Sequence, residues 1–126
     1  MTAGSGNSTD RPARRILLVE DEAFLAFMLE LDLKDAGYTV IGPYANVTKA
    51  LEAVKSAPVD AAVLDVNLNG DFVFPLADHL MAQNVPVILL SGYGERQLPE
   101  RYRSLPLLAK PHAPEMLLKE IIALIE

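Results

Sequence analysis

Apolar residues in this chain gather in short unbroken runs, separated by longer stretches of helical period. Four runs have strand length and β-favouring content: Ile16–Val19, Ala61–Leu64, Val85–Leu90 and Leu105–Ala109. A fifth, Thr39–Ile41, is shorter. Unbroken runs suit strands that are buried on both faces, as in a parallel sheet covered by helices. Between them, Ala23–Ala36 carries Phe24, Phe27, Met28, Leu31 and Ala36 on what reads as its inward side, with Gly37 as the C′ glycine. Asn46–Ser56 opens on a capping residue and presents Val47, Ala50, Leu51 and Val54. Phe72–Gln83 and Pro114–Ile125 come next, the latter with Leu117, Leu118, Ile121, Ile122 and Ile125. The alternation βαβαβαβαβα predicts an α/β fold, a doubly wound five-stranded parallel sheet with helices on both faces and right-handed crossovers. Pro86 fits a strand start, and Pro106 an edge strand.

The segment from Gly92 to Ser104 breaks the pattern. Gly92, Gly94 and Pro99 predict a mobile loop and then one short helix starting with Pro99 in its first turn. With few apolar residues to anchor it, this is expected to be the most mobile part of the folded domain. Residues 1–14 read as a flexible tail and 15–126 as one domain.

Composition narrows the functional classes. Half of the 126 residues are apolar, as a packed core requires. The absence of cysteine excludes a disulfide scaffold, a thiolate metal site and a cysteine nucleophile. No apolar run approaches the ~18 residues of a membrane span, and residues 1–12 lack the apolar region of a secretory signal. The cytoplasm is the expected compartment, with no membrane partner. A formal charge of −6 argues against nucleic acid, which is bound through clustered Lys and Arg. Arg11, Arg14 and Arg15 form too small a cluster to change that.

The chemistry lies just past the end of each strand. Ile16–Val19 leads into Glu20 and Asp21, Ala61–Leu64 into Asp65, Val85–Leu90 into Ser91, and Leu105–Ala109 into Lys110. A parallel sheet brings these carboxyl ends to one edge, where ligands bind in open α/β folds. Three neighbouring carboxylates cannot all stay ionised without a cation. Oxygen ligands with no His or Cys favour Mg²⁺ over zinc. A carboxylate can be the nucleophile in phosphoryl transfer, with the ammonium and hydroxyl stabilising the transferred group. Taken singly, Asp21 as a helix cap, Ser91 as a turn residue and Lys110 as a solvated flank have ordinary explanations. All five together, directly after four separate strands, do not.

These residues resemble the receiver domain of two-component response regulators, from about Arg15 to Ile125. The resemblance rests on Val19-Glu20-Asp21-Glu22, Leu64-Asp65-Val66-Asn67-Leu68 and Leu108-Ala109-Lys110-Pro111. It implies a flavodoxin-like strand order 2-1-3-4-5, Asp65 as phosphoacceptor, and Mg²⁺ held by Asp21 and Asp65 with the backbone carbonyl of Asn67. Glu20 would act mainly through metal-bound water. Ser91 takes the place of the switch hydroxyl and Lys110 that of the phosphate-binding lysine; a cis Lys110–Pro111 peptide is implied too. Pro86 to Tyr93 is loosely similar to the PFxFATG(G/Y) signature of a single-domain, alphaproteobacterial receiver subgroup. Pro86, Gly92 and Tyr93 agree, but Val87, Leu89, Leu90 and Ser91 stand in place of Phe, Phe, Ala and Thr. The aromatic residue usual three positions before the lysine is here Leu107, so Tyr93, next to Gly92, is the expected moving aromatic.

A stand-alone switch is the leading expectation: phosphorylated by a histidine kinase or histidine phosphotransferase, acting on a protein partner or within a phosphorelay, with no output domain after Glu126. It is a phosphoacceptor with at most self-catalysed transfer and autodephosphorylation. An acyl-phosphate phosphatase of similar build is the enzyme alternative, but its usual second Asp is here Asn67. A pseudo-receiver that only binds is the third, and the intact acidic set weighs against it. His79 and His112 read as structural, and Phe72 and Phe74 as packing residues.

Overall fold

The structure is a computed structural model that describes residues 13–92, 98–110 and 114–126. Its frame is β1 (Arg15–Val19), α1 (Ala23–Asp35), β2 (Thr39–Tyr44), α2 (Val47–Ser56) and β3 (Ala61–Asp65). A short hairpin comes after it, β4 (Asn67–Leu68) and β5 (Asp71–Phe72), then α3 (Phe74–Ala82) and β6 (Val87–Ser91). A single 3₁₀ turn at Glu100–Tyr102, β7 (Leu107–Ala109) and α4 (Pro114–Ile125) complete it.

The main sheet runs β2-β1-β3-β6-β7, all parallel, which is the expected 2-1-3-4-5 order once the hairpin is set aside. Alternation along β1 shows why its run is unbroken: Leu17 and Val19 enter one core and Ile16 and Leu18 the other. The first core is closed by α2 and α3 through Ala50, Leu76, Ala77 and Leu80. The second is closed by α1 and α4 through Leu29, Leu33, Leu117 and Ile121.

Local chemistry sets several boundaries. Asn46 caps α2 by accepting the Lys49 N–H at 2.9 Å. Gly37, at φ +97°, takes the left-handed turn that ends α1. Pro99 stands just before the 3₁₀ turn, as its N-cap rather than inside its first turn. A cis peptide lies at Gly42–Pro43; the expected cis bond at Lys110–Pro111 lies outside the described residues, as do Tyr93, His112 and nearly all of the tail.

Four expectations need correction. The inward stripe of α1 is Ala26, Leu29 and Leu33, not Phe24, Phe27, Met28, Leu31 and Ala36. Phe24 and Phe27 are 76% and 54% exposed, and Met28, Leu31 and Ala36 are exposed as well. Both stripes have helical spacing, so periodicity alone does not choose between them, and the stripe with a small Ala lies on the sheet. In α4, Ile122 likewise faces outward. Phe72 belongs to β5 rather than to α3, because Asn69-Gly70 makes a two-residue turn with both residues at positive φ. Finally, the stretch after residue 97 is anchored: Leu98 and Tyr102 are buried in the first core.

Candidate functional site

The strands stop at a common level. Val19 pairs with Leu64, Asp65 with Leu90, and Ser91 with Ala109, so the residues beyond them meet along one edge. Glu20, Asp65 and Ser91 are buried there, Asp21 half-buried. Lys110 comes directly after β7, its N–H donating to the Ser91 carbonyl at 2.8 Å.

Lys110 carries the arrangement. Its Nζ lies 2.8 Å from Glu20 Oε1 and 3.0 Å from Asp65 Oδ2. The other Glu20 oxygen accepts the Glu22 N–H at 3.0 Å, so both are engaged. Asp65 Oδ1 has a long contact, 3.4 Å, from the Asn67 N–H. One ammonium thus serves two buried carboxylates. Burial and the adjacent Glu20 charge push Asp65 up to about 7, against the pull of Lys110. Burial penalises the Lys110 charge too, yet its hydrogen bonds to Glu20 and Asp65 outweigh this and hold the proton on.

Carboxylate oxygens of Glu20, Asp21 and Asp65 lie within 4.8 Å of one another. Asp21 and Asp65 border a shallow cleft of about 330 Å³ that Asn67, Gly70, Gly92 and Lys110 also line. The donors are hard oxygens with a surplus of negative charge over Lys110, so the residues fit a small divalent cation such as Mg²⁺. Asp21 is the least committed carboxylate of the three.

The remaining expected site residues lie around this edge or away from it. The Ser91 hydroxyl donates to the Gly92 carbonyl at 3.0 Å. The Asn67 side chain accepts the Gly70 N–H at 2.7 Å and so is tied into the hairpin turn. Leu107 is exposed on β7. His79 lies elsewhere, in a separate cavity at the amino ends of the strands with Lys55, Pro58 and Gln83.

Sequence reasoning misses two features. The hairpin after Asp65 is signalled by Asn69-Gly70, the strongest short-range mark of a two-residue turn. The second is a cluster round Tyr102, a lone aromatic between two arginines in a stretch with no periodicity to reveal it. Tyr102 is fully buried and donates its hydroxyl to Asp78 at 2.6 Å.

A parallel sheet whose edge gathers an acidic trio around one lysine defines an α/β domain of the doubly wound class with one polar edge site. Residues 16–122 match the family model of the response regulator receiver domain. The chain belongs to that family, whose members serve in two-component systems with histidine kinases or phosphotransferases and other proteins. It is similar to the transcriptional regulatory protein PdtaR of Mycobacterium tuberculosis, 28% identical over 103 residues, covering 79% of this chain and 50% of PdtaR. The phyllosphere-induced regulator PhyR of Methylorubrum extorquens is 33% identical over 106 residues, covering 81% of this chain and 40% of PhyR. The chain thus spans half or less of the length of these relatives. Among solved structures, SdrG of Sphingomonas melonis superposes with a TM-score of 0.80 at 36% identity, covering 90% of this chain and 98% of SdrG. A BeF₃-activated conformation of SdrG superposes with a TM-score of 0.75 at the same 36% identity, covering 89% of this chain and 96% of that one. No helix among the described residues is long and apolar enough to cross a membrane.

Proposed function

We propose that this chain is a phosphorylation-activated signalling switch in which Asp65 accepts the phosphoryl group. The observation that carries this reading is the Lys110 ammonium bridging Glu20 and Asp65 beside Asp21. Mg²⁺, bound by Asp21, Asp65 and the Asn67 carbonyl with Glu20 acting through water, would neutralise the incoming phosphoryl oxygens. A carboxylate oxygen of Asp65 attacks phosphorus as the bond to the donor, a phosphohistidine nitrogen or the acetate oxygen of acetyl phosphate, breaks. Lys110 then exchanges its contact with Asp65 Oδ2 for a phosphoryl oxygen, keeping Glu20 as its anchor. Ser91 turns its hydroxyl from the Gly92 carbonyl toward the phosphoryl group. Asn67 offers no second carboxylate for acid–base work, and its side chain is held by Gly70, which disfavours a phosphatase.

The phosphoryl donor is a histidine kinase or histidine phosphotransferase of the cytoplasm, and the output is a protein contact. The outward stripe of α1, Phe24, Phe27, Met28 and Leu31, begins beside Asp21 and offers apolar surface for such a partner. Incubation with acetyl phosphate and Mg²⁺, read by intact mass, tests the function. One phosphoryl group is expected on the wild type, and none after EDTA or in Asp65→Asn. Labelling that persists in Asp65→Asn would overturn the assignment.

A further inference from the structure

One route leads from Asp65 through the hairpin to Tyr102. Asp65 Oδ1 contacts the Asn67 N–H, Asn67 pairs with Phe72, and the ring of Phe72 stacks on Phe74 with centroids 5.7 Å apart. Phe74 in turn stacks on Tyr102 at 4.5 Å, the planes 8° apart.

At the end of this route, one carboxylate of α3 holds the whole turn. Asp78 Oδ1 accepts the Tyr102 hydroxyl at 2.6 Å, and Arg101 donates to both Asp78 oxygens at 3.2 and 3.0 Å. The Arg101 guanidinium also lies over the Tyr102 ring, 4.5 Å from its centroid. The exposed Arg101–Asp78 pair contributes little by itself. The Tyr102 hydroxyl is different: its ring is fully buried, and a short bond to an ionised acceptor is among the stronger hydrogen bonds.

We propose that the Tyr102–Asp78 hydrogen bond is a lock that holds residues 98–105 against α3 in the unphosphorylated domain, and that phosphorylation of Asp65 opens it. This rests on Asp65 being the phosphoacceptor, and it gives that site its means of regulation. Phosphorylation acts along this route: it changes the acceptor seen by the Asn67 N–H and so the seat of Phe72 beneath Phe74. The role of Tyr102 is positional, since it touches neither the phosphoryl group nor the metal.

Reciprocity makes the lock measurable. If activation must break the bond, removing it beforehand has to tighten binding of a ligand selective for the active form, by the factor the bond contributes. The experiment is titration of beryllofluoride, at saturating Mg²⁺, into wild type, Tyr102→Phe, Asp78→Ala and the double variant. Tyr102→Phe keeps the rings stacked and removes only the hydroxyl. It is expected to bind beryllofluoride about tenfold more tightly than wild type. Asp78→Ala, which removes the acceptor, should do the same, and the double variant should gain no more than either single one. Thermal unfolding run alongside should show both single variants less stable, an effect that a merely structural residue would share without the gain in affinity. Unchanged or weaker binding in Tyr102→Phe, or additive gains in the double variant, overturns the lock. Failure of wild type itself to bind beryllofluoride would instead overturn the phosphoacceptor reading beneath it.

Discussion

Lys110 reaches across the sheet edge to Asp65 with its ammonium 3.0 Å from Oδ2, while the same ammonium lies 2.8 Å from Glu20. Two buried carboxylates sharing one cation leave the edge short of positive charge. Removing Lys110 should sharpen that shortage. In metal-free buffer at neutral pH, Lys110→Ala is expected to lose about 2 kcal/mol of unfolding free energy. Mg²⁺ should then restore more stability to Lys110→Ala than it adds to wild type, as denaturant titrations with and without the ion will show. Equal gains in both would mean that lysine and metal do not share these carboxylates.

The same shortage gives a pH signature. Burial above all pushes the folded Asp65 carboxyl up to about 7, from an ordinary value of 3.8. For a raised carboxyl, the stability held by the protonated form is complete below the unfolded value and is lost as pH rises through the folded one. With EDTA present, Asp65→Asn should therefore unfold on the order of 5 °C higher than wild type at pH 8. That advantage should fade toward pH 4. Calorimetry across this window checks it, and a difference independent of pH would contradict the burial argument.

Asp21 and Glu20 should part company under mutation. Both oxygens of Glu20 are engaged, by Lys110 and by the Glu22 N–H, whereas Asp21 borders the open cleft. Asp21→Asn is expected to weaken Mg²⁺ binding at least about tenfold with little loss of stability, in line with the cost of losing a charged ligand. Glu20→Gln should mainly destabilise the fold. The reverse order, measured by calorimetric titration, would move the metal away from Asp21.

The outward stripe of α1 separates partner recognition from chemistry. Phe27→Asp replaces an exposed ring, so unfolding free energy should change by no more than about 0.5 kcal/mol. Phosphorylation by acetyl phosphate should be unaltered. Transfer from a cognate histidine phosphotransferase should fall at least about tenfold, as for a central interface aromatic. Equal rates from both donors, before and after the change, would show that this face is not the docking surface.

The central strands and the candidate site are legible in the sequence for one reason, whereas the strand order comes from the family resemblance. Four strands, β1, β3, β6 and β7, come from apolar runs followed directly by a polar residue, so the boundary of the hydrophobic pattern and the edge of the sheet coincide at Glu20, Asp65, Ser91 and Lys110. The orientation of α1 is not legible, because Phe24, Phe27, Met28 and Leu31 have the same spacing as a buried stripe. Choosing between them needs knowledge of how closely the helix approaches the sheet, which only the Ala26 side allows. The hairpin is readable from Asn69-Gly70, but the helical pattern beginning at Phe72 masks it. The Tyr102 anchor has no local signal at all, since its partners Asp78 and Phe74 are more than twenty residues away and meet it only in the folded chain.

The claim on which everything else depends is the identity of the acceptor, and chemical trapping reads it directly. After reaction with acetyl phosphate and Mg²⁺, borohydride reduces an aspartyl phosphate to homoserine, releasing phosphate, and peptide mass spectrometry locates the altered residue. The structure predicts homoserine at position 65 and at no other carboxylate. Reduction at Asp21 or Glu20, or a phosphoryl group found on His79 or His112, would contradict it.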